Sequence, residues 1–272
     1  MTTSSVPANT ERGAARKVIQ TPWYYGWNIV AVAALYQGVV WGIGMHCFTY
    51  FVSSWMDAFH VGRGQVMLAI SVAVILIGAT APIAGRIVDR VSTTFLVTFA
   101  VVVFGTGVFL ISLATALWQI VTIYAVLVSV GMTFAGPLTA TTLAVRWFRA
   151  RRGVALGIVL AGAAIGAILL PPLVTTWLAH DGWRTTHVYL ALICAALAPI
   201  VFLVVRGSPA SAGVEIEADN PRTAALAAEQ DGKAWTMLQV LRSPTLWLIV
   251  VAFVPLSVLN LGVQSNIAPF AK

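Results

Sequence analysis

Ionic side chains are clustered along this chain, and residues 18–56, 64–85, 91–145, 153–180, 185–205 and 243–271 contain no Asp, Glu, Lys or Arg. A helix rises about 1.5 Å per residue and the hydrocarbon core of a bilayer is about 30 Å thick, so about 20 apolar residues cross it. The 91–145 stretch is long enough for two crossings, with a soft break near Ser112 to Trp118. The pattern predicts seven helical spans, at 26–54, 65–84, 94–113, 118–143, 154–178, 186–205 and 245–268. An ion at mid-bilayer costs about 2.5–3.5 kcal/mol on insertion scales, which explains its exclusion from nearly all of the apolar mass.

Composition strengthens this picture: 59% of residues are hydrophobic and 9% charged, against about 25% charged in a soluble domain. The formal charge of +7 does not indicate nucleic acid, because the basic residues sit in short connectors between apolar spans and read as topology signals. Cys47 and Cys194 both fall inside apolar segments, where they read as small packed hydrophobes rather than a disulfide framework. Residues 1–22 are polar and lack the apolar core of a secretory signal, so the first span is expected to stay as an anchor.

With those spans, Arg12, Arg16 and Lys17, then Arg86 and Arg90, then the arginines from 146 to 152, then Arg206, Arg222, Lys233 and Arg242 share one side. The other side has Arg63, Arg184 and Lys272. The positive-inside rule then predicts a cytoplasmic N-terminus in a multi-pass plasma (inner) membrane protein. Trp23, Tyr24, Tyr25 and Trp27 before span 1, with Trp55, Trp118, Trp147 and Trp247 near other span ends, read as headgroup-level anchors. The chain divides into a tail (1–22), six spans (23–205), a linker rich in acidic residues, Ala, Ser and Pro (206–244), and a seventh span (245–272). Within the linker, residues 234–241 are expected to form a short interfacial helix.

Two connectors carry motifs. Gly85-Arg86-Ile87-Val88-Asp89-Arg90 follows span 2, and Arg146-Trp147-Phe148-Arg149-Ala150-Arg151-Arg152-Gly153 leads into a span with Gly162, Gly166 and the pair Pro171-Pro172. Together with Tyr25-Gly26-Trp27 and Gly182-Trp183-Arg184, in this order, they resemble the major facilitator superfamily, and within it the monocarboxylate and oxalate/formate-type porters. That resemblance implies an all-α polytopic membrane protein: a six-helix N-terminal bundle of two inverted repeats plus a seventh transmembrane helix, truncated relative to twelve. It also implies a cytoplasmic gating motif of Gly85, Asp89 and Arg90, in which the glycine permits close helix contact and the carboxylate meets basic groups and a helix N-terminus of the opposite half. The motif's later glycine and basic positions hold Ser92 and Thr94 here. Read without the resemblance, Asp89 is an ordinary loop carboxylate paired with Arg86 or Arg90.

Gly162 and Gly166 form a small-xxx-small pair suited to close backbone approach where lipid supplies no hydrophobic drive. In span 1, Tyr36, Ile43, His46, Tyr50 and Ser53 share a face at helical spacing. His46 reads as the one imidazole deep in a span, either a packing residue or a cavity and proton-coupling residue. In span 7, Ser257, Asn260 and Gln264 form a polar stripe. Because spans 1 and 7 are symmetry equivalents in the resembled superfamily, Tyr36, His46, Tyr50, Asn260 and Gln264 are expected to face the substrate path. Thr133, Gly136 and Thr139 in span 4 add a weaker face.

No Asp or Glu lies within any span, so a buried carboxylate carrying a coupling proton is not expected from this segment. Span 4 lacks the arginine of proton-coupled drug exporters in the superfamily, and span 5 lacks the antiporter glycine-proline pattern. No phosphate-binding loop, metal-ligand spacing or catalytic triad appears, so neither enzyme activity nor a cofactor is expected. The first reading is a secondary transporter of small organic anions, with or without proton coupling, working by alternating access. Its partners are the lipid bilayer and, in a full-length form, the missing second bundle. The alternative is a truncated, non-transporting membrane fragment or interaction partner, with a self-assembled pair of chains as a third option.

Overall fold

The computed structural model describes residues 22–209 and, between 242 and 259, residues 242–245, 247–248, 251–253, 255–256 and 259. The expected tail, most of the linker with its interfacial helix at 234–241, and the stripe of Ser257, Asn260 and Gln264 lie outside the described residues. From 244 to 259 every described residue is helical.

Span 1 is one bent rod, in which α1 (Gly26–Trp41) passes through a π turn at Gly42–His46 and continues as α2 (Phe48–Phe59). The turn is closed by the Cys47 N–H donating to the Gly42 carbonyl at 2.8 Å, five residues back. Span 2 is α3 (Arg63–Arg90), started by Gln65, whose side-chain oxygen accepts from the Gly62 N–H at 3.0 Å. Span 3 is α4 (Thr93–Ser112), which stops at the predicted soft break.

Span 4 is assembled from α5 (Leu117–Ile123), a π turn at Tyr124–Val128, α6 (Ser129–Phe134) and α7 (Pro137–Trp147). It breaks at Gly136, which is extended (φ −105°, ψ −165°). Pro137 then restarts the helix at the position where a missing N–H costs nothing. Hydroxyls within the spans satisfy themselves on the carbonyl one turn back, as Thr98 does on Thr94, Thr106 on Val102 and Thr133 on Ser129, which removes a polar donor from lipid at little cost.

Spans 5 and 6 form one assigned helix, α8 (Arg152–Val204), interrupted only by the left-handed Gly182 (φ 74°). Its 53 residues would reach about 80 Å if straight, far beyond the bilayer core. They do not run straight. The first arm runs parallel to α1, with Gly162 against Ala34 and Gly166 against Gly38. The second arm ends at Val204, whose carbonyl accepts from the Tyr25 hydroxyl at 2.8 Å beside the start of α1. The chain therefore reverses at Gly182, a backbone conformation open to glycine and strained for other residues. Five helical stretches of the described chain are long and apolar enough to cross a membrane, and with α8 folded back they make the six crossings of an all-α, polytopic membrane bundle.

The aromatic residues at span ends divide into two groups. Trp23, Trp118 and Trp247 are exposed, as anchors would be, but Tyr25, Trp55 and Trp147 are buried. Sequence position places all of them at headgroup level; packing uses the second group as rivets between spans. Trp55 stacks with Phe51 and meets Trp183 and His187.

Candidate functional site

The polar face predicted on span 1 does not survive the π turn. His46 and Tyr50 are half-buried and Ser53 is exposed, whereas Tyr36 and Ile43 are buried in the bundle. A π turn spends one residue more than an α turn, so positions before and after Gly42–His46 fall out of phase. His46 and Tyr50, one turn apart, are both half-buried, whereas Tyr36 belongs to the interior. His46 is also not alone among imidazoles. His187 lies in the second arm of α8, fully packed against Phe51 at 4.2 Å between ring centres. Its Nδ1–H donates to the Trp183 carbonyl at 2.7 Å.

The expected face of span 4 is likewise interior. Thr133 and Thr139 are buried, and Gly136 sits against span 1, where a Cβ would lie 2.8 Å from the Trp41 indole nitrogen. This interface carries an unusual load of unpaired polar atoms: Gln37 Nε2 and Oε1, Trp41 Nε1 and Thr139 Oγ1 are buried without a hydrogen-bond partner, as is Tyr36 Oη. Such groups each cost free energy unless something pairs with them. They gather where span 4 is broken and span 1 is bent, which marks this seam as the polar heart of the bundle.

Gly162 and Gly166 occupy a tight crossing with span 1. A Cβ on Gly166 would overlap the Gly38 carbonyl, and one on Gly38 would lie 2.5 Å from the Gly162 oxygen. The partner pair Gly38 and Gly42 was legible in the sequence as a second small-xxx-small motif, continued by Ala34 one turn earlier.

At the basic end of the bundle, Asp89 pairs with Arg146 rather than with Arg86 or Arg90. The Arg146 guanidinium lies 3.2 Å from the carboxylate and also donates to the Thr93 hydroxyl at 3.0 Å. The two motif-bearing connectors are thus cross-linked to each other, with Arg90 left exposed. Gly85 does not serve a close contact within the described residues, since a Cβ there would meet nothing within 4 Å.

Behind this pair, spans 1, 4 and 6 are tied by three bonds. Tyr24 Oη donates to the Trp147 carbonyl at 2.6 Å, Tyr25 Oη to the Val204 carbonyl at 2.8 Å, and Trp147 Nε1 to the Arg206 carbonyl at 2.8 Å. Burial pushes the Tyr25 phenol above its ordinary pKa, with the Arg206 guanidinium pulling partly the other way, so it stays a protonated donor through the neutral range.

Comparison with known proteins agrees with this geometry. The oxalate:formate antiporter of Oxalobacter formigenes is 23% identical over 267 residues, 97% of this chain. The riboflavin transporter RibJ of Trypanosoma brucei brucei is 31% identical over 132 residues, 48% of this chain. The crystal structure of a bacterial homolog of the human lysosomal transporter Spinster, in an inward-facing and unoccupied conformation, superposes on 92% of this chain with a TM-score of 0.63 at 16% identity. The chain spans 59% and 24% of the lengths of the two relatives and 56% of the solved chain. Residues 22–272 match the Major Facilitator Superfamily, and the chain belongs to that family of membrane transporters.

Proposed function

We propose that this chain supplies the N-terminal bundle, residues 23–205, of a secondary transporter that moves small organic anions by alternating access. Residues 206–244 would be its linker and 245–272 the first helix of a second bundle. The observation that carries the substrate class is the match to an oxalate:formate antiporter along 97% of the chain. In this reading the half-buried His46 and Tyr50 of span 1 contribute to the path of a small polar cargo, and Asn260 and Gln264 are assigned to the same path from the sequence pattern alone. Thr133 and Tyr36 act from behind, by holding the wall of that path in place. The Asp89–Arg146 pair, with Gly85 and Arg90 beside it, gates the basic end, which faces the cytoplasm of a plasma membrane by the excess of arginine there. Alternating access then consists of this bundle rocking against its partner bundle.

The test is uptake of labelled oxalate, formate and lactate into vesicles containing the chain together with its second bundle. Saturable uptake of one of them, lost on His46→Ala with Tyr50→Phe, supports the reading. Riboflavin uptake with no organic-anion uptake would replace the substrate class with that of the other relative.

A further inference from the structure

The seam between α4 and the second arm of α8 is tied at both ends and packed at Gly105 and Cys194, with a groove along its exposed side. Thr94 Oγ1 donates to the Val205 carbonyl at one end, and Arg184 Nη2 to the Ala114 carbonyl at the other, each at 2.9 Å. The two helices therefore lie antiparallel. Along the middle, small side chains such as Gly105, Ala191, Ala195 and Ala198 leave an apolar hollow of about 420 Å³. Val102, Phe109 and Leu192 on its rim are exposed, so this face has no protein cover among the described residues.

One helical turn beyond Ala198 a second hollow opens, of about 660 Å³, and its lining is different in kind. Ser92, Thr93, Thr94 and Ser208 bring hydroxyls, and Arg146 and Arg206 bring guanidinium groups. Asp89 at the rim is already engaged by Arg146. Arg206, only 8% exposed, meets no carboxylate among the described residues: its Nη1 donates to the carbonyls of Phe202 and Val205, while Nε is buried without an acceptor. The cleft thus holds one cation in excess of its carboxylate, with the Ser92 and Thr93 hydroxyls beside it, at the end of an outward-facing apolar groove.

We infer that this seam is a binding site for an anionic phospholipid, the phosphate seated at Arg206 with the Ser92 and Thr93 hydroxyls and an acyl chain lying in the groove. Basic pockets between transmembrane helices recognise anionic headgroups in this way, and a guanidinium with hydroxyl donors suits phosphate oxygens. The dimensions agree: from Val188 to Ala198 the groove follows α8 for about 15 Å, half of the hydrocarbon core and so one leaflet. Headgroup charge selects the occupant, which excludes a purely apolar filling, and the groove selects a lipid over a free anion. The bound lipid would brace span 3 against span 6 beside the Asp89–Arg146 gate.

Native mass spectrometry of the full chain in neutral detergent tests this, with phosphatidylglycerol, phosphatidylcholine of matched acyl chains, and inorganic phosphate as probes. The chain is expected to retain one phosphatidylglycerol about fivefold more strongly than phosphatidylcholine. Arg206→Gln should erase that preference. Because Arg206 also caps α8, Ala195→Trp provides the independent variant: it fills the groove from an exposed position and should expel phosphatidylglycerol while leaving the thermal midpoint of the lipid-free protein unchanged. Equal retention of the two lipids, or phosphatidylglycerol retained undiminished by both variants, overturns the site. Binding of inorganic phosphate as strong as that of the lipid and indifferent to Ala195→Trp replaces it with a free-anion site, and a second copy of the chain found on this face in place of lipid overturns it as well.

Discussion

Gly38 and Gly166 meet backbone to backbone: a Cβ on Gly38 would lie 3.6 Å from the Gly166 nitrogen, and a Cβ on Gly166 would collide with the Gly38 carbonyl. Spans 1 and 5 can approach this closely only without side chains at the crossing. Gly166→Val should cost about 1–3 kcal/mol through forced separation of the two helices. Gly157→Val, on the same arm with nothing within 4 Å, should stay within about 0.5 kcal/mol. Reversible unfolding in mixed detergent reads both, and equal losses at the two positions would remove the crossing from the account of stability.

The Asp89–Arg146 pair makes a contrasting prediction. With the Asp89 side chain 75% exposed, the ion pair is worth at most about 1 kcal/mol to folding. Asp89→Asn and Arg146→Gln should each leave the unfolding midpoint nearly unchanged and yet slow uptake in the transport-competent assembly. Charge exchange in the double variant Asp89→Arg with Arg146→Asp should restore part of the rate. A large fall in stability without a transport defect would make the pair a structural tie.

Gly85 separates folding from gating most cleanly. It lies inside a helix with open space around it, where glycine costs about 0.5–1 kcal/mol relative to alanine. Gly85→Ala should therefore raise stability slightly. If the resembled gating role applies, uptake falls at the same time, because the added methyl obstructs approach of the opposite bundle. Uptake equal to wild type would show that Gly85 takes no part in closure.

The two imidazoles should respond differently to removal. His46→Ala, at a half-buried position, is expected to alter the pH profile or half-saturation of uptake with little change in unfolding. His187→Ala removes a ring packed against Phe51 and Trp55 and the bond to Trp183, and should cost about 2–4 kcal/mol while leaving the pH profile of the surviving protein unaltered. Interchanged outcomes would place the titrating group on span 6, one turn from Trp183.

Among the described residues the positions of the first six crossings were legible because lipid excludes ions so strongly that charge-free stretches trace them, down to the break after Ser112. Local helix geometry was not. A strict period of 3.6 carries Tyr36 and His46 onto one face, and only the π turn between them, which no residue type announces, sends Tyr36 into the core. Tyr25 and Trp147 carry the composition of interfacial anchors, and what buries them is a set of partners on other spans. Asp89 offered two arginines within three residues; the structure chose a third, more than fifty positions away, because α3 and α7 end side by side. The seam of Gln37, Trp41 and Thr139 was hidden for a related reason: single polar residues on different spans reveal themselves only when the spans are laid together.

The parallel crossing of the first and fifth spans also imposes an order of events during synthesis. About 130 residues separate Gly38 from Gly166, and at a ribosomal pace of about 5–20 residues per second the earlier glycine waits on the order of ten seconds for its mate. Through that interval the leading helix sits in the translocon or the bilayer with a bare strip of main chain. Maturation of the bundle is thereby tied to elongation speed, and a pause codon between the two crossings would lengthen the exposure.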